Sequence, residues 1–178
     1  MLDIELVSLV ERIKELSKGR YISTAESCTG GLLAAYLTSI PGSSDYFTCG
    51  IVCYSNEAKI KLLNVREETL KKYGAVSPQV AREMVLGIYI GNSRDVGETG
   101  NGKKVSKKKA NCDIAISITG IAGPSGGAPG KPVGTVCFGL AIGEEIYDYS
   151  YCFTGDRDLV RLKSCRAALQ IICRALGK

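Results

Sequence analysis

The segment Tyr21-Ile-Ser-Thr-Ala-Glu-Ser-Cys-Thr-Gly-Gly31 sets the architecture, because it joins a predicted strand to a predicted helix through a polar turn. β-Branched and apolar residues over 21–25 predict the strand, and apolar periodicity over 30–38 predicts the helix. Ser27 lies in the turn, at the carboxyl end of the strand, where α/β folds place their ligands. A hydroxyl there would lie at a helix N-terminus, where backbone N–H groups can stabilise a developing negative charge. The segment therefore predicts an α/β fold and a candidate nucleophile.

The chain of 178 residues contains no histidine. This excludes a Ser-His-Asp triad, a Cys-His pair and every His-ligated metal site. If Ser27 is a nucleophile, its proton must pass to Tyr54 or Lys59, which follow in Tyr54-Ser-Asn-Glu-Ala-Lys59. A free lysine is only about 0.04% neutral at pH 7, and lowering its pKa by about three units requires roughly 4 kcal/mol. Alternatively, a charged Lys59 stabilises Tyr54 as a phenolate, and the sequence leaves both routes open.

The residues after Ser27 have alternative interpretations. Backbone N–H groups of Cys28, Thr29 or Gly30 are the candidates for holding an oxyanion. Ser27 can equally be a plain helix N-cap before a glycine pair. Cys28 is the rival nucleophile, although no base is evident for it.

A glycine-rich loop over residues 119–134 is the second candidate ligand site. Its backbone N–H groups can turn toward a phosphate, and Lys131 adds charge. It is not a P-loop, because Pro132 stands where Ser or Thr is required. Arg157, in Gly155-Asp-Arg157, lies near a predicted helix start and can either cap the helix or bind a phosphate. The predicted substrate-binding residues are Asn56, Thr119, Gly120, Gly123, Gly126, Gly127 and Arg157.

Helices and strands alternate early in the chain, and a hairpin lies late, over 133–153. One early strand is predicted over Phe47–Tyr54, which is dense in β-formers and apolar on both faces. This order predicts a three-layer α/β/α sandwich on a mixed, mostly parallel sheet. The length predicts one domain over residues 1–178. Residues 91–111 lose apolar periodicity, which predicts a flexible, Lys-rich insertion.

Composition limits the function classes further. Five lysines of the insertion equal the whole net charge of +5, so the tract favours a solvated loop over a nucleic-acid site. No apolar stretch has the length of a membrane helix, and no signal peptide is evident. The eight cysteines form no C-x-x-C pair and are expected as small buried side chains in a reducing compartment. No metal or other cofactor is predicted.

Seven motifs occur in the order typical of one family, and the chain resembles the CinA C-terminal domain, which includes PncC-type nicotinamide-nucleotide amidases. The motifs are Ala25-Glu-Ser-Cys-Thr-Gly-Gly31, Pro41-Gly-Ser-Ser44, Tyr54-Ser-Asn-Glu-Ala-Lys59, Gly74-Ala-Val-Ser77, Thr119-Gly-Ile-Ala-Gly-Pro124, Lys131-Pro-Val-Gly-Thr135 and Gly155-Asp-Arg157.

The resemblance implies hydrolysis of nicotinamide mononucleotide to nicotinate mononucleotide and ammonia, by a catalytic group that maps onto Ser27, Tyr54 and Lys59. It also implies a three-layer α/β/α fold, a homo-oligomer, no metal and a cytoplasmic location. Many members carry a second, N-terminal domain, and the match beginning near residue 4 implies the amidase portion alone. The alternatives are a non-catalytic, competence-related nucleotide-binding protein and an amidase for another carboxamide.

Overall fold

The computed structural model describes residues 3–91 and 112–177. The predicted insertion at 91–111 lies, apart from Gly91, outside the described residues. Within the described residues the strands are β1 (Ile22–Glu26), β2 (Phe47–Val52), β3 (Ile114–Gly120), β4 (Thr135–Ile142) and β5 (Glu145–Cys152). The α-helices are α1 (Ile4–Ser17), α2 (Leu32–Leu37), α3 (Asn56–Leu63), α4 (Glu67–Tyr73), α5 (Pro78–Ile90) and α6 (Arg157–Leu176).

The five described strands form one sheet in the order β2-β1-β3-β4-β5. β1 runs parallel to both of its neighbours, whereas β4 runs antiparallel to β3 and β5. All but β4 therefore run in the same direction. The mixed, mostly parallel sheet and the late hairpin are confirmed.

Helices cover both faces of the sheet. One apolar core lies between the sheet and helices α1, α2 and α6, with Leu33, Phe138 and Leu169 at its centre. A second core lies on the other face, where Leu63 and Met84 bring α3 and α5 together. β3 lies between the two cores and is buried almost throughout, and its residues up to Ile118 are apolar except Ser117, whose hydroxyl is hydrogen-bonded. The α/β/α layering is confirmed.

Side-chain caps fix most of the helix starts. Ser77 caps α5 by accepting the N–H of Val80, and Pro78 follows at the first helical position, where proline's fixed φ suits a helix. Asp156 accepts the N–H of Leu159 and caps α6. Both starts agree with the sequence pattern.

Strand β2 differs from the prediction. Its apolar sequence indicated burial on both faces, but β2 is an edge strand, and most of its residues are exposed or only half-buried. For the same reason two cysteines expected in the core, Cys49 on β2 and Cys152 at the end of β5, are exposed. Sheet order decides this exposure, and local composition does not reveal sheet order.

The position of β1 locates the candidate site. β2, which follows β1 in the chain, lies on one side of it, and β3 lies on the other. The connection from β1 to β2 therefore leads to one edge of the sheet, and the strands that follow β2 are added on the opposite side of β1. In open α/β sheets the ligand crevice lies outside the carboxyl ends of the strands at such a switch point, and Ser27 follows β1 there.

Candidate active site

Ser27 is held in place by the sheet itself. Its N–H donates to the carbonyl of Ile118 at 2.9 Å, which continues the β1–β3 pairing by one residue. The side chain is 7% exposed. Its hydroxyl therefore faces a largely desolvated space at a fixed point on the sheet edge.

Lys59 reaches Ser27 from helix α3. Its Nζ lies 3.0 Å from the Oγ of Ser27, 3.0 Å from the carbonyl oxygen of Cys53 and 3.2 Å from that of Tyr54. The lysine is 1% exposed. Ser55 caps α3 by accepting the N–H of Ala58, which sets the helix start that points Lys59 inward. The predicted convergence of the amine on the serine is present in the structure.

The electrostatics of this site disfavour a charged amine. Burial lowers the pKa of Lys59 from its ordinary value, because the ammonium loses its hydration. Its three near neighbours are a hydroxyl and two carbonyls, and none of them is a carboxylate. A lowered pKa is the direction of shift that a lysine acting as a base requires.

The N-terminus of α2 differs from the sequence interpretation. Ser27 is not its N-cap: the helix starts at Leu32, Gly31 occupies the cap position, and no side chain at Gly31 caps it. The Glu26 carboxylate fills this role, and it accepts the N–H groups of Gly31, Leu33 and Ala34. The N–H groups at this helix end are therefore already occupied by the Glu26 side chain.

The candidate oxyanion donors fall into two groups. The N–H of Gly30 donates to the Ser27 carbonyl at 3.0 Å, so it is engaged within the turn. The N–H groups of Cys28 and Thr29 donate to no carbonyl oxygen of a described residue. Cys28 lines the pocket, whereas Thr29 and Gly30 do not.

Cys28 is a poor rival nucleophile in this structure. Burial raises the pKa of its thiol to about 12, and the thiolate is the reactive form of cysteine. The sulfur instead packs close to Gly120, where an added Cβ would come within 3.0 Å of it and 2.8 Å of Val136. Only glycine fits at position 120, which lets β3 approach the turn that carries Ser27.

The hydroxyl of Tyr54 takes a different partner from the one predicted. It accepts a hydrogen bond from Arg157 at 2.9 Å, and no hydrogen bond joins it to Ser27 or Lys59 among the described residues. Its ring is 60% exposed. Tyr54 reaches Lys59 through its backbone carbonyl instead, so the tyrosine lies at the mouth of the site.

These residues line a cavity of about 300 Å³, at the small end of the range of ligand pockets. Of the predicted site residues, all but Thr29, Gly30 and Gly127 line it. Its basic side chains are the cationic Arg157 and the buried Lys59, and no Asp or Glu of the described chain is among its lining residues. A pocket with this charge favours an anionic ligand.

Three residues that were predicted to contact a ligand make structural contacts within the protein instead. The Thr119 hydroxyl donates to the carbonyl of Ala75 at 2.9 Å, which ties β3 to the segment before α5. Lys131 donates to the carbonyl of Tyr73 and does not line the pocket. Gly127 packs against Val133, since an added Cβ would lie 3.1 Å from that residue's nitrogen.

Sequence reasoning missed several residues of the site. Ala75, Val76 and Ile121 form an apolar wall of the pocket, and Ser125 adds a hydroxyl. Glu26 was also missed, although a Glu that ends a strand before an uncapped Gly-Gly helix start is a usable signal.

In residues 3–91 and 112–177, no group of three or more Cys, Asp or Glu side chains is arranged to hold a metal ion. No described helix is long and apolar enough to cross a bilayer.

Comparison with known proteins identifies the family. Residues 7–103 and 102–176 match the CinA C-terminal domain. The chain belongs to the CinA C-terminal domain family. The nicotinamide-nucleotide amidohydrolase PncC of Escherichia coli K12 is 46% identical over 176 residues, which cover 97% of this chain and 95% of that protein.

Other CinA relatives differ in length. A CinA-like protein of Chloroherpeton thalassium is 48% identical over 95% of this chain, but the chain spans only 37% of that relative's length. Among solved structures, the competence/damage inducible protein CihA from Agrobacterium tumefaciens superposes with a TM-score of 0.86 at 34% identity, covering 100% of this chain and 99% of that one. The chain therefore shares the fold of that protein.

Proposed function

We propose that the chain hydrolyses the carboxamide of nicotinamide mononucleotide to give nicotinate mononucleotide and ammonia. One observation carries the proposal: a fully buried lysine amine lies 3.0 Å from the hydroxyl of a serine at the sheet's switch point. The near full-length similarity to a protein named nicotinamide-nucleotide amidohydrolase supports the choice of substrate. The histidine-free composition supports a serine–lysine mechanism.

The contacts of Lys59 favour the amine as the proton acceptor. A neutral amine has two hydrogens and one lone pair. In the structure Nζ donates toward three acceptors, the carbonyls of Cys53 and Tyr54 and the hydroxyl oxygen of Ser27, which is the pattern of an ammonium. When the amine is neutral, the two carbonyls can keep its two hydrogens, and its lone pair then faces the hydroxyl of Ser27. Because burial lowers the pKa of Lys59, we propose that this neutral form accepts the serine proton.

The reaction then proceeds in balanced steps. The Oγ of Ser27 attacks the carboxamide carbon, and its proton moves to Lys59. The resulting ammonium returns a proton to the nitrogen, the C–N bond breaks, and ammonia leaves an acyl-serine. Water attacks the acyl carbon and gives a proton to Lys59, which passes it to Ser27 as the carboxylate is released. The Cys28 N–H, with that of Thr29, would stabilise the tetrahedral oxyanion.

The other wall of the pocket would hold the nucleotide. Arg157 supplies a charge at the pocket mouth, and the N–H groups of Gly123 and Gly126 have no partner among the described residues. Together they suit a phosphate. Asn56 and Gly120, which also line the cavity, remain the proposed contacts for the rest of the substrate. We expect the active species to be a cytoplasmic homo-oligomer that needs no metal.

The test is ammonia release from nicotinamide mononucleotide by the purified protein, compared with Ser27→Ala. We expect the wild type to turn over, and Ser27→Ala to lose at least about a thousandfold in kcat. Mass spectrometry after rapid quenching should find an acyl adduct on the peptide that contains Ser27. Ser8→Ala, which removes an exposed hydroxyl bonded only to its own helix, is the matched control and should retain full activity.

Three results would contradict the proposal. Unchanged activity in Ser27→Ala would remove the serine mechanism. Tight binding of the nucleotide by the wild type without ammonia release would favour a non-catalytic nucleotide-binding protein. Release of ammonia from other carboxamides, but not from this nucleotide, would redirect the substrate assignment.

A further inference from the structure

The carboxylate of Glu26 is buried directly beside the nucleophile. The residue is 1% exposed and ends β1, so it precedes Ser27 in the chain. One carboxylate oxygen accepts the N–H groups of Gly31 and Leu33, each at 3.1 Å, and the other accepts that of Ala34 at 2.8 Å. Three charge-assisted hydrogen bonds hold a short helix from the residue before the turn.

These hydrogen bonds join the residue before the nucleophile turn to the residues after it. The residues between Glu26 and Gly31 form a four-residue turn that begins with Ser27. Glu26 binds the far end of this turn through its side chain, and its own carbonyl accepts the N–H of Cys53 at 2.8 Å. The same residue thus fixes the turn relative to α2 and to the segment whose carbonyls bind Lys59.

A second contact supports the middle of the turn. Arg161 on α6 donates to the carbonyl of Thr29 at 3.1 Å. This contact orients the Thr29–Gly30 peptide, whose N–H points back to the carbonyl of Ser27. Glu26 at the ends and Arg161 in the middle thus hold the turn, from which Ser27 and Cys28 line the pocket.

We propose that Glu26 is a positioning residue for the deamidation, which holds the hydroxyl of Ser27 against the amine of Lys59. The inference rests on the proposed function. Glu26 does not line the pocket, and both of its carboxylate oxygens already accept backbone N–H groups. It therefore acts on the reaction through the turn, as a hydrogen-bond acceptor, and does not touch the substrate.

The test compares Glu26→Gln with Asp3→Asn. Both changes convert a carboxylate that accepts backbone N–H groups at a helix start into an amide, but Asp3 caps α1, away from the pocket. An amide at position 26 offers one acceptor oxygen and places an NH₂ group against a backbone N–H. We expect kcat for nicotinamide mononucleotide to fall about a hundredfold in Glu26→Gln, because displacing a reacting group by about 1 Å has that effect. KM should stay within about threefold, since the substrate-binding wall is untouched.

A second readout separates this inference from the substrate assignment. A fluorophosphonate forms a bond to the Oγ of an activated serine with loss of fluoride, and it needs no nicotinamide. We expect the labelling rate at Ser27 to fall in Glu26→Gln by a factor similar to that for kcat, and to be unchanged in Asp3→Asn. If the wild type labels but releases no ammonia, the proposed function fails, and the labelling comparison still decides the role of Glu26.

Two controls distinguish a loss of folded protein from a loss of positioning. Rates are divided by the folded fraction from circular dichroism, and Glu26→Asp, which keeps the charge on a shorter side chain, replaces Glu26→Gln if the latter does not fold. Glu26→Asp should have an intermediate kcat. Wild-type kcat and labelling in a folded Glu26 variant would overturn the inference, as would losses that match the unfolded fraction. A wild type that neither turns over nor labels would overturn it together with the serine mechanism.

Discussion

Arg157 and Tyr54 are hydrogen-bonded across the pocket mouth, although they lie 103 positions apart in the chain. The second guanidinium nitrogen of Arg157 donates to the carbonyl of Gly123 at 2.8 Å. The hydrogen bond to Tyr54 raises the pKa of Arg157 above its ordinary value, so the cation is permanent. The phenol therefore holds a charge in place where an anionic group of a substrate would enter.

Tyr54→Phe tests this role. We expect KM for nicotinamide mononucleotide to rise about tenfold, because Arg157 loses one of its two anchors, while kcat stays within about threefold. Steady-state kinetics of ammonia release measure both. Tyr73→Phe, which alters an exposed tyrosine outside the pocket, is the control. A loss of a hundredfold or more in kcat alone would instead make the phenol the proton acceptor.

Lys59→Arg removes the proposed base while keeping a positive charge. A guanidinium remains protonated at every accessible pH, so it cannot accept the proton of Ser27, and we expect kcat to fall by at least about a thousandfold. The matched control is Lys61→Arg on the same helix, whose side chain is exposed. Circular dichroism of both variants checks that the fold is retained. Appreciable turnover by a folded Lys59→Arg protein would contradict the serine–lysine mechanism.

The pH dependence of kcat/KM follows from the burial of Lys59. A base must be neutral in order to act, and burial lowers the pKa of this amine. Activity should therefore rise with pH, with a midpoint below the value of about 10.4 of a free lysine. Initial rates measured from pH 5 to 10 test this. A flat profile, or a midpoint at the free-lysine value, would show that Lys59 does not carry the essential titration.

Ser117→Ala should destabilise the fold without involving the pocket. The buried hydroxyl donates to the carbonyl of Ala81 at 2.6 Å and accepts the N–H of Gly139 at 3.1 Å, which joins α5 to the centre of the sheet. Its removal takes one hydrogen-bond partner each from the buried carbonyl of Ala81 and the buried N–H of Gly139, so we expect the free energy of unfolding to fall by about 2 kcal/mol.

Urea denaturation measures this change, with Ser8→Ala as an exposed control that should change stability by less than about 0.5 kcal/mol. A change in Ser117→Ala no larger than that in the control would show that the hydroxyl is dispensable.

Thiol reactivity should follow exposure. Iodoacetamide should alkylate Cys49 and Cys152 first, because they are exposed, while the high pKa and burial of Cys28 protect it. Peptide mass spectrometry over time gives the order, and ammonia release should be retained after the exposed thiols are modified. Early alkylation of Cys28 with a parallel loss of activity would instead indicate that Cys28 is the nucleophile.

The layer architecture could be predicted from the sequence because its signals are local. Ser77-Pro78 and Asp156 mark helix starts through caps that form within a few residues. The alternation of strand and helix patterns then leaves few topologies open. The exposure of β2 could not be predicted in this way, since it depends on which strand lies at the edge of the finished sheet.

Part of the site could be predicted because some of its residues are evident from composition and short motifs alone. The absence of histidine directed attention to Lys59, and the structure confirms that its amine meets Ser27. The partners of Tyr54 and Thr119 are set by segments more than forty residues away, and no local pattern encodes those contacts. Glu26 was missed because a carboxylate at a strand end is ordinarily taken as a surface residue.

Gly91, after helix α5, and Cys112, before strand β3, lie at the end of the sheet that is opposite the pocket. Helix α5 starts beside Val76 in the pocket wall and runs away from it, and β3 returns from that far end to Gly120. A tag or fluorescent reporter joined next to Gly91 or Cys112 would therefore attach to the fold at points remote from Ser27, and we expect such a fusion to keep its activity.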